Sequence, residues 1–239
     1  MKKVFFIILL VTGKFLITAA QEVVLEENPL ADTVEQTWGM NLQHYIHTYL
    51  RWDFMVGPND PGASYKPGSS AFDFGMRYKY KISGFYSIGG DFDFLSFANY
   101  YLQQNSLSEQ INDSVGNYKS ERLIFTGFGL EFFNRFNYGR RGNSIGKFID
   151  IGLYGNYSYY VSHYISDDID DKPYGVIELT QRKLKYTERL SYGISGRIGF
   201  NRWVVDVRYR LSDRFKEYTG WDKLPELPRF QIGLEIGLF

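Results

Sequence analysis

Residues 228–239 read PRFQIGLEIGLF, and this stretch alternates between apolar and polar or small residues. One side of the alternation carries Phe230, Ile232, Leu234, Ile236 and Leu238, and the other carries Arg229, Gln231, Gly233 and Glu235. Only a pleated strand has a side-chain period of two, because its successive Cβ atoms point to opposite faces. The stretch therefore predicts a β-strand with one apolar face and one polar face.

The same alternation recurs along the chain and predicts seven more strands. These are Trp38–Val56, residues 71–83, Phe85–Gln103, Arg122–Phe136, Phe148–Ile165, Leu184–Phe200 and Arg202–Ser212. Long polar connections, at 57–70, 104–121, 166–183 and 213–228, alternate with shorter turns. An even strand number with long loops at one end is expected of a single-chain outer-membrane barrel. The pattern thus predicts an all-β fold, an eight-stranded antiparallel up-and-down transmembrane β-barrel over residues 37–239.

The amino-terminal residues predict export. The stretch MKKVFFIILLVTGKFLITAAQ begins with Lys2 and Lys3, continues with an apolar run and ends in small residues before Gln21. This order is typical of a cleaved secretory signal peptide, here residues 1–20. Lys14 interrupts the apolar run, which stays well short of the ~20 residues that a membrane-spanning anchor needs. Residues 21–36 are acidic and carry Pro29, and we interpret them as a periplasmic lead-in.

The composition also favours a barrel in a membrane. The chain has 20 Tyr, 20 Phe, 4 Trp and 24 Gly, which suits interfacial aromatic girdles and tight turns. The residues predicted to be such anchors are Trp38, Trp52, Tyr100, Tyr101, Tyr157, Tyr159, Tyr160 and Trp203. The absence of Cys excludes a disulfide framework, and a net charge of zero argues against a nucleic-acid partner. The soluble alternative, a β-sandwich or lipocalin-like barrel, would have to enclose all these aromatic side chains.

If the apolar faces meet lipid, the opposite faces fill the interior with charged side chains. The predicted lumen charge network consists of Arg51, Asp53, Asp73, Arg77, Lys79, Lys81, Asp91, Asp93, Glu131, Arg135, Asp150, Arg189, Arg197, Asp206, Arg208, Arg210 and Glu235. Eight strands leave room only for side chains, so these charges must pair with each other or with trapped water. The network is then either a salt-bridged plug or a narrow ion path. Size excludes a wide pore, and charge excludes a site for hydrophobic ligands.

A catalytic site is not expected, and neither is a cofactor. His163 is predicted to face outward near the extracellular rim, with Glu188 as a diagonal neighbour, but no outward Ser completes a hydrolase. A lipid-modifying barrel enzyme is therefore a remote alternative. An acidic loop contains Asp167, Asp168, Asp170 and Asp171. Its spacing does not fit an EF-hand, so it is either a solvated loop or a loose divalent-cation site.

The chain resembles the small outer-membrane barrels of the OmpA/OmpX and PorT-like group. The segments that carry the resemblance are VRYRLSDRFK at 207–216 and LPELPRFQIGLEIGLF at 224–239, which ends on Phe239. In that group, the barrel-insertion machinery reads the last strand and its terminal aromatic residue. Here that signal would be Phe230, Ile232, Leu234, Ile236 and Leu238 with Phe239, which is out of phase with Leu238.

The resemblance also implies a location and a role. The location is the outer membrane, in contact with its lipid and lipopolysaccharide. The role is non-catalytic, either structural or adhesive, or as an accessory component of an export or assembly system with an envelope protein partner. The narrow ion-permeable channel stays open as the alternative.

Overall fold

The computed structural model describes residues 36–57, 68–102, 120–140, 142–168, 175–216 and 227–238. The described residues form nine strands: β1 (His44–Val56), β2 (Ser70–Lys81), β3 (Tyr86–Leu102), β4 (Ser120–Tyr138), β5 (Lys147–Asp168), β6 (Val176–Arg182), β7 (Leu190–Phe200), β8 (Trp203–Arg210) and β9 (Phe230–Leu238). Within these ranges, the structure contains no α-helix with the length and apolar character needed to cross a membrane.

The strands pair into one antiparallel sheet that closes into a ring. Each of β1 to β4 pairs with the next strand, β5 pairs with β7, and β8 and β9 follow in order. The ring closes because β9 pairs with β1, with Leu50 opposite Ile236. The start of β1 and the end of β9 lie at the same end of the ring, since Thr48 is opposite Leu238. We call this the turn end, and the opposite end the rim.

The all-β prediction is confirmed, but the prediction of eight strands is wrong. The additional strand, β6, lies within 166–183, which the sequence pattern assigns to a loop. It pairs only with the last part of β5, from Ser162 opposite Arg182 to Asp168 opposite Val176. The reason is that β5 extends past its predicted end and beyond β7, so its free edge accepts a hairpin partner.

Two predicted strand starts are also wrong. β1 begins at His44 rather than Trp38, because the preceding residues fold back into a turn in which Gly39 N donates to His44 O at 2.8 Å. The Trp38 ring stacks on the His44 ring with centroids 5.0 Å apart, which holds the turn against the strand. β7 begins at Leu190 rather than Leu184, because residues 183–189 leave the sheet after β6.

Two β-bulges decide which side chains face the interior near the rim. The pairing of β2 with β3 skips Phe94, and the pairing of β4 with β5 skips Tyr159. An extra residue turns the following side chains to the opposite face of the sheet. The buried residues that follow the bulges include Ala98, Tyr100 and Leu102 in β3 and Val161, His163 and Ile165 in β5.

The polarity of the ring is opposite to that of a protein folded in water. On the outside, Phe132, Leu153 and Trp203 are 70, 64 and 62% exposed. Six of the described arginines are at most 2% exposed: Arg51, Arg77, Arg135, Arg197, Arg208 and Arg210. Arginines are almost never fully buried unless they are paired, so this distribution directs attention to the interior.

Candidate functional site

Arg51 of β1 lies in the middle of a network of buried charges. Its Nε and Nη2 donate to Asp73 Oδ2 at 3.0 and 2.7 Å, and Nη2 also donates to Asp93 Oδ2 at 3.3 Å. Its Nη1 lies within 3.8 Å of three more carboxylates, those of Glu131, Asp206 and Glu235. These acids come from β2, β3, β4, β8 and β9, so one guanidinium connects strands that are not neighbours in the ring.

Arg77 of β2 and Arg197 of β7 share the carboxylate of Asp91. Arg77 forms a bidentate pair with Asp91 at 2.9 and 2.8 Å, and its Nη2 donates to Glu235 Oε2 at 2.9 Å. Arg197 Nη1 donates to Asp91 Oδ2 at 2.6 Å, and its Nη2 lies 3.0 Å from Glu131 Oε1. Charge-assisted hydrogen bonds are about twice as strong as neutral ones, so these contacts hold the two arginines in place.

Two further arginines extend the network. Arg135 of β4 forms a bidentate pair with Asp150 of β5, with both distances 2.7 Å. Arg208 of β8 donates from Nη2 to Glu131 Oε2 at 2.7 Å, and the Ser195 hydroxyl donates to Glu131 Oε1 at 2.7 Å. Each of these carboxylates thus receives the hydrogen bonds that a buried charge needs.

Aromatic rings enclose the arginines. The Arg77 Cζ lies 4.6 Å from the centroid of the Tyr49 ring, and the Arg135 Cζ lies 3.6 Å from that of Phe148. Tyr49 is fully buried, and its hydroxyl donates to Asp93. A guanidinium over an aromatic face gains ~0.5–2 kcal/mol, most where water is excluded. Tyr49 has the same parity as Arg51, so the alternation of β1 was the signal that would have added it to the predicted set.

Two acids of the network lack hydrogen-bond donors. Asp53 of β1 and Asp206 of β8 are both 0% exposed, and none of their four carboxylate oxygens has a hydrogen-bond partner. The nearest guanidinium nitrogen to Asp53 is Arg51 Nε, at 3.8 Å. The nearest to Asp206 is Arg208 Nε, at 3.5 Å. Gly233 of β9 is paired with both aspartates, and a Cβ there would lie 2.1 Å from Asp53 Oδ1. The absence of a side chain at Gly233 gives Asp53 its space.

The interior carries more acid than base at this level. In the described part of the chain, eight carboxylates and five guanidinium groups form the ion pairs of the network. The eight acids are Asp53, Asp73, Asp91, Asp93, Asp150, Asp206, Glu131 and Glu235. We call these thirteen residues the central network. The network therefore has an acidic excess of three groups, eight carboxylates against five guanidinium groups.

Four cationic residues of the predicted set lie elsewhere. Lys79 is buried and its Nζ donates to the Met40 carbonyl at 2.7 Å, while Lys81 is half-buried and donates to the Asn41 carbonyl at 2.7 Å. Arg210 is buried and donates to backbone carbonyls, including that of Leu227 at 2.9 Å. The inward placement of Arg189 is wrong. Arg189 is exposed, and it lies just before β7, which begins at Leu190.

An apolar cluster occupies the interior at the rim. We call it the rim cluster; its members are Met55, Ala71, Ala98, Tyr100, Leu102, Leu123, Phe125, Val161, Tyr186 and Leu227. Tyr100 is fully buried, so its predicted role as an interfacial anchor is wrong, and the bulge at Phe94 is the reason.

Arg214 is a buried cation beside the rim cluster. It is 5% exposed, and its Nε and Nη1 have no hydrogen-bond partner. Its Cζ lies 4.5 Å from the centroid of the Phe125 ring.

The outward placement of His163 is also wrong. His163 is fully buried, and its Nε2 lies 2.7 Å from Glu121 Oε1. Its Nδ1 lies 3.3 Å from the Gln181 amide oxygen and 3.4 Å from the Tyr186 hydroxyl. The bulge at Tyr159 turns His163 inward, so the sequence pattern missed both Glu121 and this contact. The adjacent large residues Phe94–Leu95 and Tyr159–Tyr160 interrupt the alternation and were the signal that could have revealed the bulges.

The remaining predicted sites are described only in part. Asp167 and Asp168 end β5, whereas Asp170 and Asp171 lie outside the described residues. Among the residues that are described, no group of three His, Asp or Glu side chains has the arrangement of a metal site. In β9, Phe230, Ile232, Leu234 and Leu238 are exposed and Ile236 is half-exposed. Phe239, the signal peptide and residues 21–35 of the lead-in lie outside the described part.

The chemistry that the central network supports is charge compensation. Its acids and arginines are in mutual contact, and an apolar cluster lies on each side, the rim cluster and, at the turn end, Tyr45, Ile145, Phe148 and Val204. In comparisons with known proteins, no family model and no curated protein matches this chain.

Proposed function

We propose that this chain is a non-catalytic integral outer-membrane protein whose ring is an eight-stranded transmembrane β-barrel, with β6 as an extension at the rim. The observation that carries the proposal is the inverted polarity of the ring. Exposed apolar side chains surround it, whereas buried arginines and carboxylates fill it. Soluble monomers rarely expose contiguous apolar patches larger than a few hundred Å². In a lipid bilayer these apolar side chains would contact acyl chains instead of water, so their exposure would carry no free-energy cost.

The strand lengths and connections support the same proposal. A transmembrane strand needs about 9–11 residues, and β1, β2, β7 and β9 have 13, 12, 11 and 9. The connections at the turn end include the short pair Asn201 and Arg202. Short turns on the periplasmic side and longer loops outside are the rule for such barrels. The rim is then the extracellular end.

The central network supports a closed barrel. An open path for ions needs mobile water and charges that release their partners. Here Arg77, Arg197 and Asp91 are each at most 3% exposed and bound at 2.6–2.9 Å. We therefore infer that the network is a plug that fixes strand register. Breaking such a buried pair costs about 3–5 kcal/mol, so the plug also stabilises the fold.

Planar-bilayer recording tests the plug. The purified protein is reconstituted at one copy per bilayer, with insertion verified by the heat-dependent gel mobility of a folded barrel. We expect no conductance steps, and we expect Arg197→Ala to lower the thermal stability more than it alters the current. Discrete single-channel steps in the unmodified protein would reject the plug.

A narrow ion path is the second candidate, and one observation favours it. The four unpartnered oxygens of Asp53 and Asp206 form an acidic site in the middle of the ring. Cation channels use rings of Asp and Glu for selectivity. If the bilayer experiment gives a current, this candidate predicts cation selectivity that Asp53→Asn and Asp206→Asn reduce.

The cellular role follows from the resemblance to the PorT-like group. We propose a structural, adhesive or accessory component of an envelope export or assembly system that contacts lipopolysaccharide and is inserted by the barrel-insertion machinery. The test is crosslinking in native membranes, followed by purification in mild detergent and mass spectrometry. Reproducible recovery of export or assembly subunits supports the accessory role. Recovery of the uncomplexed monomer argues for a structural or adhesive barrel.

A further inference from the structure

A groove of about 280 Å³ lies on the outer surface of the ring near the rim. It is lined by Tyr159–Val161 of β5, by Arg182–Leu184 at the end of β6, and by Arg189. We call it the basic groove. It is not part of the central network, because its three cations are exposed and its two tyrosines face outward.

The groove exists because β5 changes partners at this height. β5 pairs with β7 up to Tyr157 opposite Leu190, and with β6 only from Ser162 onward. Between these points one edge of β5 has no strand beside it, and the backbone N of Ser158 bonds instead to the Arg189 carbonyl at 2.9 Å. The bulge at Tyr159 falls in the same interval, which places two successive tyrosines on the outside, 55 and 36% exposed.

The groove concentrates positive charge. Arg182, Lys183 and Arg189 are exposed, and in the described part of the chain no carboxylate lies within ion-pair distance of them. The adjacent Glu188 does not line the groove. Lys183 has φ of 57°, in the left-handed region that non-glycine residues rarely adopt. Lys183 directly follows β6, where the chain leaves the sheet, and it lines the groove.

The chemistry and the position point to one ligand. Tyrosines beside cations at the end of an apolar band are typical of the membrane–water interface. The Arg182 Cζ lies 5.9 Å from the centroid of the Tyr160 ring, so this guanidinium is already oriented over the groove. A phosphate monoester carries about −1.5 to −2 charges at pH 7, and arginine binds it with paired N–H donors.

We propose that the basic groove binds the phosphorylated headgroup of lipid A in the outer leaflet. The inference rests on the proposed membrane barrel and names a site for its lipopolysaccharide contact. The acyl chains of the bound lipid would lie along exposed residues below the groove, such as Leu190 and Tyr192, which are 55 and 52% exposed. Inorganic phosphate lacks that second contact, which distinguishes the lipid from the free anion.

The test is native mass spectrometry of the detergent-folded protein with lipid A and with dephosphorylated lipid A as the matched probe. A triple variant, Arg182→Gln, Lys183→Gln and Arg189→Gln, removes the cations. The control variant, Arg140→Gln, Lys147→Gln and Arg202→Gln, removes the same number and kind of exposed cations at the turn end. We expect lipid A to bind about tenfold more weakly to the groove variant, which corresponds to about 1.4 kcal/mol, and unchanged binding to the control.

Three results would overturn the proposal. They are equal binding of phosphorylated and dephosphorylated lipid A, an equal loss in both triple variants, and displacement of lipid A by an equimolar amount of inorganic phosphate. Insertion into vesicles is measured separately by heat-dependent gel mobility. If the unmodified protein does not insert, the proposed membrane barrel is wrong; if it inserts but does not discriminate between the two lipids, only the lipid A site is wrong.

Discussion

The central network and the rim cluster are adjacent parts of one interior, and they are built from opposite chemistry. In the central network, Arg51, Arg77 and Arg197 are buried against carboxylates. In the rim cluster, Leu102, Leu123 and Phe125 pack against each other at 0–2% exposure. The network follows the side-chain alternation of the strands. In the rim cluster, the members from β3 and β5 face inward only because of the two bulges: Ala98, Tyr100, Leu102 and Val161. The alternation of apolar and polar residues therefore predicts which face of the sheet a side chain lies on only up to the first bulge in that strand.

Deleting Tyr159 should have the largest effect, because it removes the bulge in β5 on which part of the rim cluster depends. Without the extra residue, the simple alternation is restored and Val161, His163 and Ile165 turn outward. We expect the rim cluster to be lost and most of the protein to fail to fold. The readout uses His163→Cys, which introduces the only thiol of the chain. In the parent this thiol should resist a membrane-impermeant maleimide, and in the folded fraction of the deletion variant it should react. Continued protection would show that the bulge does not set the facing.

Arg197→Ala should have the largest effect among single substitutions in the central network. It removes the donor to Asp91 and leaves the carboxylates of Glu131 and Asp150 less compensated. We expect a loss of about 3–5 kcal/mol in the free energy of unfolding, measured in urea with lipid vesicles. Arg140→Ala, at an exposed turn position, is the control and should change stability by less than about 0.5 kcal/mol. Similar losses in both variants would contradict the network.

Leu123→Ala should destabilise the rim cluster by a packing mechanism. Leu123 is fully buried, and removing its side chain leaves a cavity that costs about 2–5 kcal/mol. The same urea titration measures this loss. Because the rim cluster and the central network do not share these contacts, the double variant with Arg197→Ala should be additive within about 0.5 kcal/mol. A coupling well above that value would mean that the two regions form one cooperative unit.

Asp206→Asn should have the smallest effect on stability, and it tests whether the acidic excess of the central network is destabilising. Its carboxylate oxygens accept no hydrogen bond, so removing its charge should change the free energy of unfolding by at most about 1 kcal/mol. Relief of the repulsion with Asp53 acts in the stabilising direction. Asp91→Asn is the matched comparison, and it should cost about 3 kcal/mol because Arg77 and Arg197 lose their shared partner. Equal losses would mean that Asp206 has donors in solution.

Much of the ring was predictable from the sequence, since six of its eight strands start within two residues of their predicted starts, and the other two, β1 and β7, start six residues later than predicted. The alternation in β9 placed Ile232 and Leu234 outside and Glu235 inside. Tyr100 and His163 were assigned to the wrong face, because a single extra residue in each strand reverses the parity that follows. β6 was missed because its seven residues have no core of their own and form a strand only against the free edge of β5.

The sequence by itself determined the strand class, the apolar outer face and the charged inner face, because all three depend on the local period of two. Only the tertiary structure decided which charges meet. Arg77 and Glu235 are separated by most of the chain, and they pair because β9 closes the ring against β1. The same closure brings Asp53 and Asp206 to either side of Gly233. Such contacts depend on register between strands that are distant in the chain, and no local pattern encodes that register.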